Sequence, residues 1–150
     1  MRSNLIHKCF ISRDVHTMLR AFQTYVRPIL EYASRIWSPH LLGCIKQIES
    51  VQRKFTNGLT NISYKGRLAL LHIDSLEIRR LRFGLIMVYK ILFNMVDVSA
   101  PQFFTRASSS YYTRGHCHKL VLNYSRADVR KYFFSERIVK QWNSLAAPAA

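Results

Sequence analysis

At 150 residues, with 23 lysines and arginines against 8 acids, the chain carries a formal charge of +15 and is long enough to bury one core. That balance points to a polyanionic partner, nucleic acid ahead of an anionic membrane surface, because phosphates offset the self-repulsion and release counterions. Three widely spaced cysteines, Cys9, Cys44 and Cys117, argue against a secreted disulfide framework, and the most apolar run, Phe83 to Phe93, is interrupted by Lys90 and too short to span a bilayer.

The surplus is spread over the body, with 11 bases against 4 acids in residues 1–75 and 12 against 4 in residues 76–150. Leu5, Ile6, Phe10 and Ile11 suggest an extended lead-in. From Asp14 to Val26 the apolar residues Val15, Met18, Leu19, Phe22 and Val26 repeat at helical spacing. Pro28 disfavours helical geometry at Arg27, so a break is expected there, with a restart that holds Pro28 in its first turn. Leu30, Ala33, Ile36 and Trp37 are expected to continue the buried face up to Ser38-Pro39. A further helix from Leu41 to Phe55 would turn Leu41, Ile45, Ile48, Val51 and Phe55 inward and Lys46, Gln47, Arg53 and Lys54 outward, stopping at Asn57-Gly58.

Ser63 to Leu71 reads as a short helix with Leu68 and Leu71 packed down. The strongest helix signal runs from Ser75, a good N-cap, to Asn94, with Ile78, Leu81, Leu85, Val88 and Leu92 on the buried side. Arg79, Arg80, Arg82 and Lys90 would form its cationic flank. Beyond it, Thr105 to His118 is polar and lacks helical period, and reads as a loop. Leu120 to Tyr124 alternates and Arg130 to Phe134 is aromatic, a pattern that allows a short hairpin; Ser135 would then cap a last helix burying Ile138, Val139 and Trp142. The expected class is mainly α, a bundle of about five to six helices with that small hairpin near the C-terminus. Its organisation would be a helical domain over residues 1–95, an irregular basic connection over 96–118, and a hairpin-plus-helix unit over 119–150.

Chemistry-bearing clusters are sparse. The eight acids include no adjacent pair, and the closest, Asp74 and Glu77, sit at a helix start where capping explains them. His40, Cys44 and His116-Cys117-His118 lack the paired spacing of structural zinc sites, so no metal or other cofactor is expected. Cations and aromatics are dense instead. Arg106, Tyr111, Tyr112, Arg114, His116, His118, Lys119, Arg126, Arg130 and Lys131 offer charge for phosphates and rings for bases. A second candidate surface is the helix pair bearing Arg53, Lys54, Arg79, Arg80 and Arg82.

The order of several segments carries a resemblance. Tyr25-Val26-Arg27-Pro28-Ile29-Leu30-Glu31-Tyr32-Ala33-Ser34, Trp37-Ser38-Pro39, Ile48 to Phe55, Ser75 to Arg82, Tyr89 to Leu92, Thr113 to His116, Arg130 to Ser135 and Trp142-Asn143-Ser144-Leu145 follow one another. Together they resemble the region downstream of the polymerase palm in LINE-type, non-LTR retrotransposon reverse transcriptases of the jockey and CR1 kind. Ala146 stands where that family usually has proline. The family's catalytic Tyr-x-Asp-Asp motif is not among these residues, so the resemblance implies no catalytic residue here and no polymerase activity. It implies a thumb-like segment gripping RNA or an RNA–DNA template-primer by the backbone, in the nucleus or cytoplasm and without a membrane. The alternative is a helical scaffold or partner-binding module, self-associating through an apolar surface left by the missing palm.

Overall fold

In the computed structural model, which describes residues 2–11, 14–57, 62–107 and 116–145, the regular structure is helical and no strand forms among the described residues. Of the residues expected to lead in as an extended segment, Leu5 and Ile6 are helical instead, in α1 (Arg2–Cys9), because Ile6 is drawn into a core with Met18, Phe22 and Phe55, while Phe10 and Ile11 follow the helix. The Asp14 carboxylate accepts the Thr17 N–H at 2.9 Å and the Thr17 hydroxyl at 2.8 Å, and α2 (Val15–Tyr25) starts at the next residue. The expected break at Arg27 is present. A new helix, α3 (Arg27–Glu31), holds Pro28 in its first turn, where a missing N–H costs nothing.

That helix stops sooner than the apolar pattern suggests. Tyr32 turns to an extended ψ of 134° and Ala33 takes a positive φ of 52°, so Ile36 and Trp37 stand 73% and 47% exposed instead of extending the buried face. The carbonyls of Ser34 and Arg35 accept from Arg137 Nη2 at 2.9 and 3.0 Å, and these tertiary bonds replace the helical ones.

Helix α4 (Leu42–Asn57) buries Phe55 as expected, but also Gln52 and Thr56, while Leu41 just before it is 60% exposed. The Ser63 hydroxyl accepts the Gly66 N–H at the start of α5 (Tyr64–Leu70). His72, with φ 51°, ends α5 in a Schellman pattern in which the Ile73 N–H donates to Leu68 O and the His72 N–H to Ala69 O. Asn94, with φ 53°, ends α6 (Leu76–Leu92) in the same way, through Met95 to Lys90 O and Asn94 to Ile91 O.

Along α6 the buried residues are Leu76, Arg80, Gly84, Val88, Ile91 and Leu92. Val88 and Leu92 were expected there, whereas Ile78 and Leu81 are 50% and 39% exposed. Apolar residues surround this helix, so period alone does not choose the face. Gly84 does: a Cβ there would lie 2.9 Å from Ile138 Cδ1, so its absence lets helix and side chain approach.

The chain divides into two compact units, and the boundary falls inside α6. Unit 1 comprises residues 1–33 and 39–80 and is centred on Ile6, Met18, Ala21, Phe22, Val26 and Phe55. Unit 2 comprises residues 34–38 and 81–150. Its core is Val88, Ile91, Leu92, Phe104, Leu120, Phe134, Ile138, Val139 and Trp142. After the short α7 (Ala100–Phe103), residues 105–107 meet 119–121 in a single antiparallel bridge, Arg106 with Leu120, and the hairpin allowed by the sequence does not form. Arg130 and Lys131 close α8 (Asp128–Lys131) instead, and Phe134 opens α9 (Phe134–Arg137). Ser135 is buried inside α9 rather than capping it, and α10 (Val139–Asn143) completes the unit with Ile138, Val139 and Trp142 inward as expected.

Candidate nucleic-acid interface

In unit 1 the site is built on the outer side of α4. Lys46, Arg53 and Lys54 are exposed there, and Lys65 is exposed on α5. Lys46 and Arg53 are seven residues apart, so they rise on one helical face. Glu49, the only acid of α4, stands between the two on that face, three residues after Lys46 and four before Arg53, and is engaged by α5 and α6. Glu49 Oε1 accepts the Tyr64 hydroxyl, and Oε2 accepts the Leu76 N–H at 3.0 Å, capping α6 from a neighbouring helix. Gln52 Nε2 donates to Tyr64 Oη at 3.2 Å and to Asp74 O at 3.0 Å, which accounts for a fully buried amide. Burial first, and the Glu49 carboxylate second, push the Tyr64 hydroxyl above the usual phenol range. The Arg53 guanidinium lies 4.8 Å from the centre of the Tyr64 ring.

Several other arginines serve the fold. Arg67, 5% exposed and not anticipated, donates to Ile62 O at 2.6 Å, Asn57 Oδ1 at 3.0 Å, Thr56 Oγ1 at 3.3 Å and Arg53 O at 3.4 Å. It places a cation at the carbonyl end of α4, where the helix dipole favours one. Arg80 does not join a cationic flank: it is 7% exposed and donates through Nη2 to Leu30 O, and burial holds its guanidinium below the usual value. Arg79 forms a two-bond pair with Glu31, which raises its guanidinium above the usual value. Arg27, 4.0 Å from the same carboxylate, is lowered by burial and by Arg79. Arg82 is exposed.

In unit 2, Arg106 is exposed yet donates through Nη2 to Leu92 O at 2.7 Å, at the carbonyl end of α6. His116 also serves the fold. Its Nδ1 accepts the His118 N–H at 3.2 Å, which leaves Nε2 to carry the proton and donate to Trp142 O at 2.9 Å. Trp142 Nε1 returns a bond to His118 O at 2.7 Å, and Asn143 binds both polar backbone groups of Leu120, at 2.9 and 2.8 Å. Lys119 is half-buried on this strap. Arg126 and Lys131 are exposed, the latter with its ammonium 5.4 Å from the Tyr132 ring centre. Arg130 reaches the buried Glu136 at 3.3 Å while its own side chain stays 61% exposed. Tyr111, Tyr112 and Arg114 lie outside the described residues.

The two units share the surplus nearly equally, with twelve bases against five acids in unit 1 and eleven against three in unit 2. Among the described residues, no three His, Cys, Asp or Glu side chains gather as a metal site, and no helix is long and apolar enough to cross a membrane. No family model, curated protein or solved structure matches the chain.

Proposed function

We propose that the chain is a non-catalytic, thumb-like segment of a LINE-type reverse transcriptase that binds RNA or an RNA–DNA template-primer through backbone contacts, inside the nucleus or cytoplasm. The observation that carries this reading is the outer side of α4 and α5, where Lys46, Arg53, Lys54 and Lys65 are exposed and the only acid of α4 is engaged with Tyr64 and Leu76. Unit 2 carries exposed Arg126 and Lys131 of its own. The ordered run of segments ending in Trp142-Asn143-Ser144-Leu145 supports the ancestry. Backbone recognition without base readout makes affinity depend steeply on salt. The test is binding to single-stranded RNA and to an RNA–DNA hybrid at rising salt. Tight binding at about 50 mM that weakens by orders of magnitude by about 200 mM is expected; absent or salt-independent binding refutes the reading.

A second reading, a helical partner-binding or self-associating module, draws on one observation. Ile86 and Tyr89 on α6 and Phe93 just past its end, spaced i, i+3 and i+7, are 45%, 44% and 41% exposed. Size-exclusion chromatography with and without nucleic acid separates the two readings: a dimer or larger species unaffected by RNA favours this one.

A further inference from the structure

We propose that Arg53, laid against the Tyr64 ring, is a preformed seat for one phosphodiester of a polynucleotide, and that Tyr64 is its positioning residue. The inference rests on the nucleic-acid reading and deepens it. Four observations in unit 1 lead to it.

The guanidinium is exposed, yet its carbon lies 4.8 Å from the ring centre, so its plane is supported before any ligand arrives. The ring is itself held. Its hydroxyl donates to Glu49 and accepts from Gln52, and those two residues also bind Leu76 N–H and Asp74 O, so the platform is tied to α4, to α5 and to the start of α6. Glu49, the acid hydrogen-bonded to the platform, is held by the hydroxyl and by a helix N-terminus, and Arg53 with Lys54 beside it and Lys46 two turns away outnumbers that single charge. Finally, Arg67, the other guanidinium near this ring at 5.6 Å, has its donors committed to Ile62, Asn57, Thr56 and Arg53 groups, so of the two only Arg53 can offer a fork outward. A planar, five-donor fork matches two phosphate oxygens at once, and holding it flat lowers the entropy lost on binding.

Geometry, beyond net charge, is therefore what the seat supplies, and the decisive substitution conserves charge. Fluorescence anisotropy with labelled single-stranded RNA is the measurement, on the full chain at low salt and across a salt series. Arg53→Lys keeps +15 and is expected to weaken binding by about two- to five-fold with the salt slope unchanged. Arg53→Ala weakens it further and lowers the slope by about one. Arg20→Lys, at an exposed residue of α2 outside this surface, also conserves charge and leaves affinity at the wild-type value.

Tyr64→Leu removes the platform and is expected to weaken binding as much as Arg53→Lys, with no further loss when the two are combined. Tyr64→Phe keeps the ring and gives an intermediate loss; it stands in should the leucine variant not fold, as judged by its circular dichroism. A wild-type chain that does not bind RNA overturns the seat together with the nucleic-acid reading. A wild-type chain that binds while Arg53→Lys binds equally well overturns the seat alone. So does a loss on Arg53→Lys that is merely additive with that of Tyr64→Leu or, in its place, Tyr64→Phe.

Discussion

Asp14 and Arg67 stand at opposite ends of what a residue reveals about itself. Asp14 announces its role by type and position, and the structure places it as the N-cap of α2. The Thr17 backbone N–H first, and its hydroxyl second, hold the carboxyl below the usual carboxylate range. A depressed folded value means that the contribution is complete above the unfolded pKa of about 3.9 and disappears as pH falls through the folded one. Asp14→Ala should therefore lower the urea midpoint at pH 6, with the gap closing below about pH 4; a gap independent of pH would contradict the cap. Arg67 gives no such warning, because a basic residue in a short amphipathic helix reads as solvent-facing. It is buried because the α4 carbonyl end and the Ile62 carbonyl need donors that water cannot supply there. Arg67→Met should cost about 3 kcal/mol in chemical denaturation by stranding those acceptors, and Arg67→Lys should recover only part, since one ammonium cannot span the fork.

Elements were more legible than their faces. Helix starts at Asp14, Ser63 and Ser75 and stops at Asn57 and Asn94 are written in capping chemistry, and the structure follows them within a residue or two. Periodicity named Met18, Phe22, Phe55, Val88, Ile138 and Trp142 as core, and they are buried. It failed where apolar residues encircle a helix, as on α6, and where a tertiary bond overrides a local pattern, as when Arg137 takes the Ser34 and Arg35 carbonyls. The same limit hid the strap at residues 116–120. His116 looked like a phosphate ligand, yet Trp142 and Asn143 on α10 hold that segment, with Asn143 acting as a strand partner for Leu120. Removing the amide strands both backbone groups of a residue that is 2% exposed. Asn143→Ala should cost about 2 kcal/mol and speed hydrogen exchange at the Leu120 amide more than at amides of α2. Uniform acceleration across both would show that the strap is not a local clasp.

At the scale of the whole molecule, charge remains after the fold has taken its share. Asp14, Glu31, Glu49 and Glu136 are committed to a cap, an ion pair, a tyrosine with a helix start, and a buried contact, so half of the acids are fixed at structural posts. Arg67, Arg80, Arg106 and Arg137 likewise direct guanidinium donors at backbone carbonyls. What is left is divided between the units and includes Lys46, Arg53, Lys54 and Lys65 in one and Arg126 and Lys131 in the other. If both units meet the same polynucleotide, each exposed cation that touches a phosphate contributes about one to the slope of log affinity against log salt. Replacing Lys46, Lys54 and Lys65 together by alanine should then lower that slope by about three, and replacing Arg126 and Lys131 by about two, with the fold intact because none of these side chains is buried. A slope that responds to the first set and ignores the second would confine the interface to unit 1. A slope that responds to neither would remove both sets from the interface and favour the reading in which Ile86 and Tyr89 on α6 meet a protein partner.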